Sequence, residues 1–371
     1  MRATLSLTAA FTIGAIAIWL PTCTGKAEHG PTILAGMDPA TNEAPSQFSD
    51  PRLRAFDVEG SLLLAYRGPG KGGVAYHLTL QVEGQRAARK PSGNKQQPPV
   101  RESHALEVEF RKLPVEGTDS RNDVFLLGLD ALHYTQKQRN PAASREIEIA
   151  DDRFRLSING ETSIDNRGNR ITGPLAPRIF LNRIFGVITH DPSGNPIKLS
   201  SRGAPAARQF MSEIPILGAI AYTMVSLPQD RITPGSSWTG VRIPPSRSGE
   251  LGLSLTVHYS LAGFEIFEGV TCAMILINAH ISENEITSTT GHKFDRVQAT
   301  LNGTAWVELE NSLVRRVVLS DQIRASWVDP GDPKTATEHR IQHTSKLVLA
   351  LRDPNEKPDK WSDGAPRFNT R

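Results

Sequence analysis

The sequence predicts a mainly β protein: a long-stranded antiparallel curved sheet, or an incomplete barrel, enclosing one or two short helices. Three observations predict it. In the stretch LGLSLTVHYSLAG, Leu251, Leu253, Leu255, Val257, Tyr259 and Leu261 share one parity, while Gly252, Ser254, Thr256, His258 and Ser260 share the other. That is the period of two of a strand with one dry and one wet face. The same alternation recurs over 74–83 and 297–309. Against this background one segment, ILGAIAYTMVS after Pro215, is apolar nearly all round. Proline is tolerated in a first helical turn, and a segment this short reads as a buried core helix, not a bilayer span.

The elements follow in chain order. Apolar runs cover 61–67 and 74–83. Residues 84–101 read as a loop carrying Arg86, Arg89, Lys90, Lys95 and Arg101, kept irregular by Pro91, Gly93, Pro98 and Pro99. Strand patterns follow at 104–112, 123–129, 145–150 and 153–159. Asp165 to Asn169 and Asp191 to Asn195 both read Asp-x-x-Gly-Asn between extended segments, which suits a hairpin with glycine in the left-handed region. The oxygens of Asp191, Ser193 and Asn195 also resemble the start of a calcium loop, but the distal bidentate Glu is missing, so the stretch is assigned as a turn and no metal site is assigned. A short helical piece at 206–213 leads into the apolar helix at 215–226, and 227–238 forms a rigid turn carrying Trp238. Strands are expected at 251–261, 271–281, 297–309, 313–328 and 340–351, with a turn at 264–269. One domain covers 53–351, and two similar halves, 53–200 and 228–351 joined by 205–227, are one reading of it.

The turn and strand signatures Leu227-Pro228 with Pro234-Gly235-Ser236-Ser237-Trp238, then Tyr259, Gly263 and Glu268-Gly269-Val270-Thr271-Cys272, then Gly303 to Glu310, carry a resemblance. Over roughly residues 60–350 the chain resembles an uncharacterised family of exported bacterial β-sheet proteins. In shape that family is similar to the half-barrel lipoprotein carriers, whose curved sheet encloses helices and an apolar cavity. The resemblance speaks to fold, and no catalytic residue transfers from it.

The ends have a different character. Arg2 is the only charge before Lys26, and residues 5–20 are apolar up to Pro21. This reads as a secretory signal cleaved near Ala27, as a lipoprotein signal with Cys23 as the lipidation candidate, or as an uncleaved anchor, since an uncharged run of this length can span a bilayer. All three imply export to the periplasm or cell envelope. Residues 28–52 read as a flexible tether and 352–371 as a disordered tail.

The chemistry-bearing patterns are sparse. No Gly-x-Ser-x-Gly elbow occurs, and the Gly-rich stretch at 67–73 lacks the Ser or Thr and the helix of a phosphate loop. His339 and His343, four apart in a strand, lie about 13 Å apart and cannot share one zinc. Cys272 sits in an apolar strand and reads as a small buried hydrophobe. No catalytic residue and no cofactor is assigned. With 42 Lys+Arg against 39 Asp+Glu there is no nucleic-acid footprint.

Leaving the six apolar side chains of 251–261 in water would forgo roughly 9 to 18 kcal/mol, so something covers them. The leading expectation is a non-enzymatic envelope protein that holds lipid or another apolar ligand between sheet and helix. The groove residues are Leu253, Leu255, Val257, Tyr259, Ile216, Ile220 and Met224. The alternative is an envelope structural or interaction module that touches the envelope surface through the 86–101 loop. A hydrolase is the third reading.

Overall fold

The computed structural model describes residues 54–56, 62, 64, 73–89, 98–115, 123–150, 153–165, 184–191, 194–202, 213–228, 230–245, 252–288, 291, 293–328 and 337–352. The expected signal or anchor with Cys23, the tether at 28–52, most of the helical piece at 206–213 and the tail after 352 lie outside the described residues. Among the described residues there are fifteen strands and one short helix. The first nine are β1 (Arg54–Phe56), β2 (Val74–Arg89), β3 (Val100–Pro114), β4 (Asp123–Arg139), β5 (Ala143–Ala150), β6 (Arg153–Ile158), β7 (Glu161–Asp165), β8 (Ile184–His190) and β9 (Pro196–Ser201). The helix α1 (Ile216–Tyr222) precedes β10 (Ser237–Arg242), β11 (Leu255–Phe267), β12 (Val270–Thr287), β13 (Lys293–Glu308), β14 (Val314–Val328) and β15 (Glu338–Arg352).

All fifteen strands belong to one antiparallel sheet in the order β1-β11-β12-β13-β14-β15-β2-β3-β4-β5-β6-β7, with β10 beside β11, β8 beside β4 and β9 beside β8. The two ends of this row do not pair, so the sheet stays open. Its seam is the pairing of the last strand with the second, Glu338 opposite Arg89 through Arg352 opposite Ala75. This pairing joins the strands before the helix to those after it. One row of inward side chains crosses it, Leu319, Leu347, Leu80, Leu106 and Tyr134 on five neighbouring strands, and every member is buried.

Several strands run further than periodicity alone indicates. β2 and β3 extend through most of the segment expected as a loop, with Arg86 opposite Val100 and Gln85 opposite Arg101. Arg86, Arg89 and Arg101 are therefore strand residues, and residues 90–97 of the expected 86–101 loop lie outside the described residues. β4 continues from Leu129 to Arg139 past a bulge opposite Glu109 and Phe110, which shifts the dry parity from odd to even numbers and hides the alternation. β11 starts at Leu255, not Leu251, and runs on to Phe267 through a bulge at Leu261 and Gly263. The turn is only Glu268 and Gly269, whose φ values of 51° and 80° are both left-handed, as a two-residue hairpin requires. Gly194, at φ 79°, closes the β8–β9 hairpin, and the Asp191 carboxylate accepts from the backbone N–H and side-chain amide of Asn195 at 2.8 and 3.0 Å.

The helix is shorter than the apolar run. α1 has seven residues and stops at Thr223, whose hydroxyl donates to the Ile220 carbonyl at 2.7 Å. Residues 224–228 then run without regular structure, and the Ser226 carbonyl accepts from Trp238 Nε1 at 2.7 Å. Leu217 sits so close to β8 that a Cβ at Gly186 would lie 2.8 Å from its Cδ2, so a larger residue there would push the leucine side chain aside. Seven residues make a helix about 10 Å long, whereas twelve strands in a row would lie roughly 50 Å across if flat. The inward side chains form one continuous buried core that runs from Leu64 to Leu349.

Candidate functional site

The expected groove residues come together. Leu255, Val257, Tyr259 and Ile216 are fully buried, Leu253 and Ile220 nearly so, and Met224 is partly buried against the same core. Leu253 lies just before β11. These residues fill space and do not line a groove. The cavity beside the helix has Ile220 and Met224 in its wall, but not Leu253, Leu255, Val257, Tyr259 or Ile216. It lies between the end of α1 and the inner face, against Tyr76, Phe110, Leu349, Lys112 and His190, and measures about 40 Å³. That is room for a water or two.

Two basic side chains stand in this apolar wall. Lys112 ends the inward stripe of β3, with its ammonium 4.2 Å from the centroid of the Phe125 ring. Burial pushes its pKa down to about 7, with the Asp123 charge opposing the shift. His190, at the end of β8, packs edge-on against Phe125, and its Nδ1 donates to the Gly194 carbonyl at 2.7 Å. Burial first, then the Lys112 charge, hold it down to about 3, so it is neutral. Arg242, the last residue of β10, is a third basic group and is 4% exposed. Its guanidinium faces the Tyr259 ring at 5.6 Å.

A polar cluster lies next to this. Asp321 projects from β14 into the core, where its Oδ2 accepts from the Tyr222 hydroxyl at 2.9 Å and the Ser345 hydroxyl at 2.7 Å. His343 Nε2 stands 3.7 Å from Oδ1. Burial raises the Asp321 carboxyl, against the lowering effect of the Ser345 and Tyr222 hydrogen bonds, and burial holds His343 down to about 4. Serine, histidine and aspartate are thus neighbours, but Ser345 donates to the carboxylate and not to the imidazole. All three are buried. A nucleophile needs its proton directed at a base and a path for substrate. This cluster ties α1 to the sheet instead.

Sequence reasoning missed Lys112, Arg242, Asp321 and Ser345. Parity held a signal for three of them. Asp321 shares the inward parity of Val317, Leu319 and Ile323, Ser345 that of Leu347 and Leu349, and Lys112 that of Val108 and Phe110. A polar residue on a dry stripe is the mark of a buried network or site. His339 and His343 do lie on one strand as expected, with His339 stacked on Trp327 at 5.0 Å.

No family model matches the chain, and neither does any curated protein. Among solved structures, one of lipovitellin and its lipid–protein interactions aligns over 79% of this chain and 26% of its own, with 10% identity and a TM-score of 0.39. The chain thus spans about a quarter of the lipovitellin chain. Pseudomonas aeruginosa OccK7 (OpdD) aligns over 76% of this chain and 99% of its own, with 9% identity and a TM-score of 0.17. The CymD monoaromatic hydrocarbon channel aligns over 79% and 95%, with 11% identity and a TM-score of 0.12. Scores this low carry no argument about ligand or activity.

Proposed function

We propose that this protein is a non-enzymatic binding protein of the cell envelope, exported through its N-terminal segment, that lodges an apolar chain between the inner sheet face and the α1 segment. One observation carries the reading: a long, dry sheet face capped, among the described residues, by one seven-residue helix, with a cavity where that helix ends. The cavity is too small for a chain as it stands, so the unstructured residues 224–228 move off the sheet when a ligand enters. Met224, unbranched and partly exposed, is suited to such repacking.

Native mass spectrometry of the protein extracted from membranes tests this. A bound species released on denaturation supports the reading. Protein recovered ligand-free from membranes, and unable to take up chains of any head group, overturns it.

A further inference from the structure

We propose that Lys112 is a carbonyl-reactive amine, and that the chain lodged under α1 is an apolar aldehyde held to its Nζ as an imine. This rests on the reading that an apolar chain lodges under α1, and adds the chemistry of its head.

Lys112 lines the cavity itself, at the inward end of β3. It is 7% exposed, and it is the only buried lysine among the described residues. Lys137, Lys198, Lys293 and Lys346 are all exposed. Phe110, Ile220, Met224 and Leu349 share the wall with it, and none of them can solvate a charge. The Phe125 ring holds its Nζ 4.2 Å from the centroid. A lysine in a dry, apolar wall is the usual setting of an amine nucleophile, because burial favours the uncharged form and only that form has a lone pair to give.

The titratable groups around Lys112 are Asp123, His190 and Tyr76. Burial keeps the imidazole and the phenol uncharged. Exposed Asp123 favours the ammonium, but burial outweighs it and brings Lys112 down to about 7. About half of Lys112 is then uncharged at pH 7, against roughly one part in a few thousand for an ordinary lysine.

Imine formation needs no co-reactant. The Nζ lone pair attacks the carbonyl carbon, a C–N bond forms, and one proton passes from nitrogen to oxygen. The C–O bond of the resulting carbinolamine then breaks. The oxygen leaves as water with the second nitrogen-bound proton, and C=N remains. About 40 Å³ leaves little room for the water that would reverse the step. An aldehyde suits a binding protein, since hydrolysis on release restores the amine, whereas an ester or thioester would acylate it for good. The tail would extend past Ile220 and Met224.

The test incubates the purified full chain at pH 7 with decanal or acetaldehyde and cyanoborohydride, and locates the reduced adducts by peptide mass spectrometry. Non-covalent uptake of decanol is followed by native mass spectrometry. Decanal is expected to label Lys112 at least about 10-fold faster than Lys137, Lys198, Lys293 or Lys346. Lys112→Arg should bring total labelling down to that of the exposed lysines, and undiminished labelling overturns the proposal. If that variant does not melt cooperatively, the map of labelled wild-type peptides decides alone. Labelling of Lys112 no faster than of the exposed lysines, with decanol bound, overturns the imine and leaves the apolar-chain reading standing. If decanol does not bind and Lys112 is not labelled preferentially, both fall. Equal labelling of Lys112 by acetaldehyde and decanal marks a reactive amine with no chain site beside it, and overturns the proposed occupant.

Discussion

The two faces of this sheet treat buried charge in opposite ways. On the outer face, Glu109 and Glu308 are each 3% exposed, and both are fully met. Arg352 donates to Glu109 at 2.8 Å, with His77 nearby, while Arg315 and Asn311 hold Glu308 at 2.9 and 2.6 Å. On the inner face Arg242 is as deeply buried, and no carboxylate pairs with it among the described residues. Its guanidinium instead lies over the Tyr259 ring at 5.6 Å and donates to the Val241 carbonyl at 3.3 Å. Burial of ion pairs is neutral at best, but burial of half a pair is costly.

The largest test of that contrast is Arg352→Ala. It should leave Glu109 buried without its arginine and cost about 3 to 5 kcal/mol in urea unfolding. A loss near zero would mean that outer-face pairing is ornamental and that the Arg242 contrast teaches nothing. Next is Leu255→Ala on the inner face. Leu255 is fully buried and outside the cavity wall, so the expected loss is about 2 to 5 kcal/mol, whether or not lipid is present. A small loss that depends on bound lipid would move the groove onto the strand and away from the end of the helix.

Acid should weaken the inner face. His190 is held down to about 3, against an ordinary value of 6.5. A depressed histidine contributes stability that is complete above about pH 6.5 and is lost as pH falls toward 3, here about 2 to 4 kcal/mol. His190→Gln should make the fall of the urea midpoint from pH 7 to 4 shallower, leaving the part due to His343, and an unchanged slope would remove His190 from the account. The smallest effect has the opposite sign and belongs to the outer face. Partial burial opposes charge on His77, but the hydrogen bonds it donates to the carboxylates of Glu107, at 3.2 Å, and Glu109 outweigh it and raise its pKa to about 9. Its contribution is full below about pH 6.5 and lost as pH rises through 9, about 1 to 2 kcal/mol after solvent screening. The gap between wild type and His77→Gln should therefore close between pH 7 and 10.

Much of the fold was legible because strand parity is local. The alternation over 297–309 and 313–328 gave β13 and β14 nearly to their ends. It failed where a bulge reset it, as in β4 at Asp130, and in the polar half of β2, where Glu83 to Arg89 carry no apolar stripe to read. The helix was found but overextended, because the apolar residues after Tyr222 stay buried without being helical. The site was less legible. Ile220 and Met224 were reached by their apolarity, whereas Arg242 sits in a stretch without periodicity.

By itself the sequence determined which side chains are dry. Alternation assigns Leu255 and Val257 to one face whatever they pair with, since successive residues of a strand must point opposite ways. Only the tertiary structure decided what those faces meet. The register of β14 on β15 sets Asp321 opposite Ser345, and α1 brings Tyr222 to the same carboxylate. The pairing of β15 with β2 spans nearly the whole described chain and makes one sheet of two runs of strands. Register and curvature depend on partners far away in sequence, and so does the question of whether a buried arginine finds a carboxylate.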